Sequence, residues 1–302
     1  MPKEKPGELL AHGMLLMAAF IAVRVFSVPT YKYLVGSMHP FALDIYYAAA
    51  GTIFFGFLTG WKLDWLFRMK KPLLRRFLIF TGLTIIGSLS FDISFMFVNV
   101  KTFVILASAM PVVVGFYSAW LLKEKPGIGL WIAAVLAAVG SIVFKGAELQ
   151  AFGPGELAIL GGVLLFSLTP IMSRQYVGIV GRKNLSWWSY ASCILPILAL
   201  NIVLGTFALP PANMTYLAIM MAAIFLFGMP TVFLSIAALK HLPAPTFITI
   251  TTALMPIGQV LVAMTFLGET LAGNEILGGA IMIAAALLAA RATSATGVRR
   301  PS

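Results

Sequence analysis

The sequence predicts an all-α integral membrane protein. Its ten transmembrane helices form two inverted five-helix repeats, with the N- and C-termini cytoplasmic. Three observations carry this prediction. Hydrophobic residues make up 60% of the chain and charged residues only 10%, where soluble domains carry about 25% charged residues. One stretch occurs twice, as Thr102-Phe103-Val104 through Met110-Pro111 to Glu124, and as Thr246-Phe247-Ile248 through Met255-Pro256 to Glu269. In both copies Glu follows the proline by 13 positions, and the copies are offset by 145 residues, about half of 302. The third observation is the side-to-side alternation of the basic residues.

A span needs about 20 apolar residues. The first runs from Leu9 to Val35, the second from Pro40 to Trp61 and the third from Phe77 to Val98. Thr102 to Leu122 and Gly127 to Phe144 follow. The second half holds Glu156 to Gln175, Leu185 to Gly205, Tyr216 to Leu239, Pro243 to Leu267 and Asn274 to Ala290. Helix breakers fall between them, at Gly36 to Pro40, Lys71-Pro72, Lys125-Pro126, Gly153-Pro154, Pro210-Pro211 and Gly268. With both termini inside, the 21 Lys and Arg residues all fall on the cytoplasmic side except Lys32, Lys101 and Lys145 outside and Arg24 within a span. Arg174, Arg182 and Lys183 count among the loop cations. A wrong number of spans scrambles this bias. Five helices per half is odd, so the second half crosses in the opposite sense, as in carriers built from inverted repeats. The halves are read as 1–146 and 147–302.

The net charge of +11 does not point to nucleic acid, because the cations sit in short loops between apolar runs. The lone Cys193 excludes an intramolecular disulfide, and His12, His39 and His241 lack metal-ligand spacing. No metal and no cofactor are expected. Lys3 and Lys5 precede an apolar run too long for a signal peptide, which reads as an uncleaved first helix. A phosphate-binding Gly-x-x-x-x-Gly-Lys-Ser/Thr run is lacking, so a gradient or an exchange must supply energy. An intramembrane enzyme needs a clustered nucleophile, base or metal, and the sequence has no His-x-x-x-His or Gly-x-Ser-x-Gly. A non-transporting membrane scaffold is the competing class; it calls for interaction tails, and the tails are only a few residues.

Met110-Pro111 to Glu124-Lys125-Pro126, followed by Trp131 and Gly140, resembles the EamA-type drug/metabolite transporters. In the second half the resemblance rests on Ala237-Ala238-Leu239-Lys240, Met255-Pro256, Gly268-Glu269-Thr270 and Gly278-Gly279. It covers nearly the whole chain. It implies ten helices, a central cavity lined by helices 1, 3, 4, 6, 8 and 9, and alternating access. It further implies export of amino acids or related small polar metabolites through a bacterial inner membrane. Uptake or exchange of a cofactor- or nucleotide-like anion is the alternative. The chain departs from the family in carrying Arg24 where Trp is frequent, and Asp44 near the place of an early second-helix Arg.

A charge inside a span is costly and faces a cavity or a partner. Arg24 is thus either an anchor for a substrate carboxylate or half of a fixed ion pair with Asp92 or Asp44. On the third helix Thr81, Thr84, Ser88, Asp92 and Asn99 share one side. Asp92 reads as a cavity-wall carboxylate for proton or cation coupling, or as a tie to Arg24. Asp44, one turn into the second helix, reads as a helix-start cap. Tyr31, Phe166, Ser167, Thr249, Thr252 and Gln259 complete the expected substrate contacts. Pro111, Pro170 and Pro256 shape helices, and the two long-repeat prolines free carbonyls that a ligand could use. Glu124 and Glu269 lie on opposite faces, about 30 Å of hydrocarbon apart, and read as gate or helix-end residues. Trp61, Trp65, Trp187, Trp188 and Tyr190 are interfacial anchors. Small residues in the fifth and tenth helices signal close helix packing, within a monomer in preference to a homodimer.

Overall fold

The computed structural model describes residues 6–98, 103, 106–107, 109–123, 126–145, 153–267 and 272–296. The regular elements among them are helical. The first half holds α1 (Pro6–Val35), α2 (Pro40–Thr59), a short α3 (Asp64–Phe67), α4 (Lys71–Phe97), α5 (Met110–Leu121) and α6 (Ile128–Lys145). The second half holds α7 (Pro154–Phe166), α8 (Leu168–Val180), α9 (Arg182–Leu204) and α10 (Met214–Ala222). A π-helical segment (Ala223–Gly228) joins α10 to α11 (Met229–Leu239), and α12 (Ala244–Leu267) and α13 (Gly273–Thr296) close the chain. Each of the ten apolar stretches overlaps a helix, and α3 is an extra turn that the hydropathy pattern hides.

Six helical stretches among the described residues are long and apolar enough to cross a membrane: Glu8–Ser27, Pro40–Thr59, Lys71–Phe97, Pro154–Val180, Arg182–Leu204 and Met214–Leu239. Their outward faces are apolar, with Phe57 at 74% and Leu195 at 75% exposure. Such a surface suits lipid.

Prolines set the interruptions, because a proline cannot donate to the carbonyl four residues back. Pro170 leaves Phe166 without that donor, and the helix breaks at Ser167 between α7 and α8. Pro230 does the same to Leu226, inside the π segment. Pro111 stands in the first turn of α5, just after a turn at residue 109. Pro256 lies within the continuous backbone of α12.

The helices pair in a pattern that maps onto itself when the halves are exchanged. Helix α6 packs on its counterpart α13, α2 on α9 and α5 on α12. The α4–α7 contact is matched by α1–α11, and α5–α6 by α12–α13. Small residues make these approaches possible. A Cβ on Gly140 of α6 would come within 3.1 Å of the Gly278 carbonyl and 2.7 Å of Met282 on α13. Ala133, Ala137, Ala285 and Ala289 are fully buried in the same seam. The glycine and alanine face of the fifth and tenth helices is therefore covered inside one chain. Gly87 of α4 similarly lies against the Leu165–Phe166 backbone of α7.

Arg174 corrects the charge count. It is not a loop cation but lies inside α8, 4% exposed. Its Nη1 donates to the Leu239 carbonyl at 2.9 Å and the Lys240 carbonyl at 3.0 Å. Those carbonyls end α11, where a guanidinium both satisfies the free acceptors and complements the helix dipole.

Candidate functional site

Helical spacing brings one face of each of several helices to a shared cavity of about 440 Å³. Phe20, Arg24, Ser27 and Tyr31 recur at intervals of three or four along α1, which stacks them into a stripe. Helix α2 contributes Asp44, Tyr47 and Ala48. Helix α4 contributes Ile85, Ser88, Asp92 and Phe95 at the same spacing. The second half supplies Phe166, then Ser189, Tyr190, Cys193 and Ile197 of α9. It also supplies Gly228, Thr231 and Val232 around the end of the π segment, and Phe247, Thr251, Thr252, Met255 and Gln259 of α12. The cavity thus lies between the halves.

Three charged side chains line it. Arg24 stands more than 4.0 Å from the carboxylates of Asp44 and Asp92, so the fixed ion pair left open by the sequence is not made. Asp44 accepts a hydrogen bond from the Tyr31 hydroxyl at 2.9 Å on Oδ1, and its buried Oδ2 has no hydrogen-bond partner. Asp92 neighbours both Ser88 and Asp44. Aromatic rings enclose the acidic end. Tyr31 stands edge-on to Tyr47 at 6.1 Å and tilted to Phe95 at 6.0 Å, and Phe95 stacks on Phe103 at 4.5 Å.

Of the residues expected at the site, Arg24, Tyr31, Ser88, Asp92, Phe166, Thr252 and Gln259 line the cavity. Ser167 and Thr249 do not. Ser167 is fully buried and donates to the Val163 carbonyl at the helix break, and Thr249 is 1% exposed in the packed face of α12. Asn99, Glu124 and Glu269 lie outside the described residues. Thr81 and Thr84, on the expected polar stripe, are buried in helix packing; the Thr81 hydroxyl accepts from Trp188 Nε1 at 2.9 Å.

The structure corrects the reading of Asp44. The α2 start is capped by His39, whose Nδ1 accepts from the Phe41 amide at 3.3 Å, with Pro40 in the first turn. Asp44 is one turn too deep to cap and faces the cavity instead. Helices α2 and α9 are cavity walls that the sequence did not point to, with Tyr47 and Cys193; Tyr190, expected as an interfacial anchor, is buried and lines the cavity instead. An i, i+3 pairing of Asp44 with Tyr47 was the available signal. The π segment had none beyond Gly228 and Pro230. There, a Cβ on Gly228 would meet the Tyr47 ring at 3.0 Å, so glycine lets the two helices close around the cavity.

The model of the EamA-like transporter family matches residues 9–145 and, a second time, residues 153–291. The chain belongs to the EamA-like transporter family. It is therefore a multi-pass membrane protein of the drug/metabolite transporter superfamily. A solved structure described as "Crystal structure of protein" superposes on this EamA-like chain with a TM-score of 0.74. That match has 18% sequence identity and covers 92% of this chain and 96% of the other. At that identity the likeness speaks for the fold alone. The comparison with curated proteins gives no match.

Proposed function

We propose that this EamA-like protein is a secondary active transporter of a small polar organic metabolite, an amino acid or related compound, working by alternating access. The reading assigns ten spans to the ten apolar stretches, with both termini cytoplasmic, in a bacterial inner membrane. Residues 1–146 and 147–302 are the two inverted halves, and they rock about the cavity between them. Export is the favoured direction.

One observation carries the reading. A cavity walled by both repeats contains a guanidinium, Arg24, that no fixed carboxylate holds. A cation kept in a membrane-embedded site without such a partner is suited to a substrate anion. A planar guanidinium can grip a carboxylate by two parallel hydrogen bonds. Gln259 and Thr252 supply polar contacts from the opposite repeat, and the remaining wall is mostly aromatic and aliphatic. Asp92, beside Ser88, is assigned the coupling role. Two carboxylates against one guanidinium argue against a polyanionic cargo, so the nucleotide-like alternative is the weaker one.

The test is thermal stabilisation of the purified protein across a metabolite panel, followed by transport in vesicles. Selective ligands raise apparent stability by mass action. Carboxylate-bearing compounds are expected to stabilise the wild type and not Arg24→Ala. Equal stabilisation of both proteins removes Arg24 as the anchor. Vesicles that move none of the stabilising compounds overturn the transport reading.

A further inference from the structure

We propose that Asp44, together with the Tyr31 hydroxyl and Asp92, forms a subsite for an alkylammonium group at the aromatic end of the cavity. The inference rests on reading the cavity as the substrate site and deepens it by naming the second pole of the ligand.

The argument starts from charge. The cavity is lined by one guanidinium and two carboxylates. Of the two, Asp92 is the one that feels Arg24. Asp44 has a neutral hydroxyl, from Tyr31, on one oxygen; its buried Oδ2 receives no donor, and the Asp92 carboxyl group lies beside it. A buried acceptor without a partner is expensive in any interior, and still more so in a membrane-embedded site. A ligand that donates hydrogen bonds and carries positive charge answers both needs.

The walls select the kind of cation. Tyr47 and Phe95 stand beside the Tyr31 ring within 6.1 Å and 6.0 Å. A wall of aromatic rings favours a soft organic cation. A metal ion asks for several oxygen ligands, and among the described residues no group of three or more His, Cys, Asp or Glu side chains gathers that could hold one. Arg24 and Tyr31 are seven residues apart on one face of α1, so they are separated by two turns, about 10 Å along the helix. That spacing puts the anion pole and the ammonium pole at different depths of one cavity. A ligand bearing both groups would bridge them, and one bearing only an amine would occupy the Asp44 end.

The experiment compares matched probes on the full chain in detergent: 2-phenylethylammonium, the neutral isostere 2-phenylethanol, and sodium ion alone. The ammonium probe is expected to stabilise the wild type in a saturable way, and the alcohol to bind at least about tenfold more weakly, as loss of a charged hydrogen bond implies. Asp44→Asn is expected to abolish the preference for the amine over the alcohol. Tyr31→Phe, which leaves the carboxylate in place, should weaken the amine severalfold and serves if Asp44→Asn fails to fold. Equal binding of amine and alcohol to the wild type overturns the subsite. So does amine binding that is unchanged in Asp44→Asn, or in Tyr31→Phe should Asp44→Asn not fold. Stabilisation by sodium ion that competes out the amine reassigns Asp44 to an inorganic cation and likewise overturns it. These readouts are equilibrium binding, so a failure of vesicle transport would leave the subsite standing. Conversely, transport of a carboxylate compound indifferent to an amine would leave the transporter standing and remove the subsite.

Discussion

At the scale of single residues, the cavity chemistry turns on a few polar side chains that helix packing leaves unspent. Arg174 and Asn201 show the contrast. Both are buried, and both are committed to backbone carbonyls. Asn201 of α9 donates Nδ2 to the Phe41 carbonyl of α2 at 2.8 Å and accepts from the Thr206 hydroxyl at 3.0 Å. It is a structural tie between counterpart helices. Asn201→Leu should therefore lower stability by about 1–3 kcal/mol, the usual cost of stranding buried partners. Ligand affinity should stay unchanged in the folded fraction. Thermal unfolding with and without a stabilising ligand separates the two effects. Asp92 belongs to the other kind. Asp92→Asn should abolish the response of transport to an imposed pH gradient, while stabilisation by ligands held through their carboxylate at Arg24 persists and that by amine-bearing ligands weakens. A variant that follows the gradient as the wild type does would take Asp92 out of the coupling role.

At the scale of elements, proline and glycine decide where the helices bend around the site. The π segment is the clearest case. It holds one residue more per turn than an α-helix, and such segments gather at functional sites. Here it ends at Gly228, against Tyr47, and brings Gly228 and Thr231 to the cavity wall. The long span Met214–Leu239 stays continuous through it. Deleting Leu226 should convert the segment to regular helix with both flanking registers kept. The protein is expected to fold and to lose ligand-induced stabilisation. Retained stabilisation would show that the bulge only relieves Pro230. Helices α6 and α13 serve differently: their small residues are consumed in a tight contact with each other, remote from the cavity.

At the scale of the whole molecule, the pairing pattern and the doubled family match describe two related halves around one cavity. Alternating access needs such a frame, because each half can close one end in turn. The proposed ten-span arrangement makes a direct prediction. A phosphatase reporter fused after Ala208 should be active, since the proposed topology puts that loop outside, and one fused after Lys70 should be inactive. The opposite result at either position would break the inverted assignment. The basic stretch that leaves α2 and runs into the first turns of α4 argues for the same orientation, with Lys62, Arg68, Lys70, Lys71, Arg75 and Arg76 against the single acid Asp64.

Much of this frame was readable from residue order. Helix type follows from apolar length and breakers, because a bilayer forces every spanning backbone to satisfy itself within its own segment. The duplication follows from the repeated Met-Pro and Glu spacing, and the interior charge of Arg24 from its cost in an apolar run. What residue order could not convey was which polar side chain is consumed by packing and which is left for a ligand. Ser167, Thr249, Thr81 and Asp44 look alike in sequence: short polar groups in apolar helices. Three of them are buried in helix contacts, and the fourth faces the cavity. Rotation of each helix about its axis, set by small-residue contacts with non-adjacent helices, makes that choice, and those contacts exist only in the folded chain.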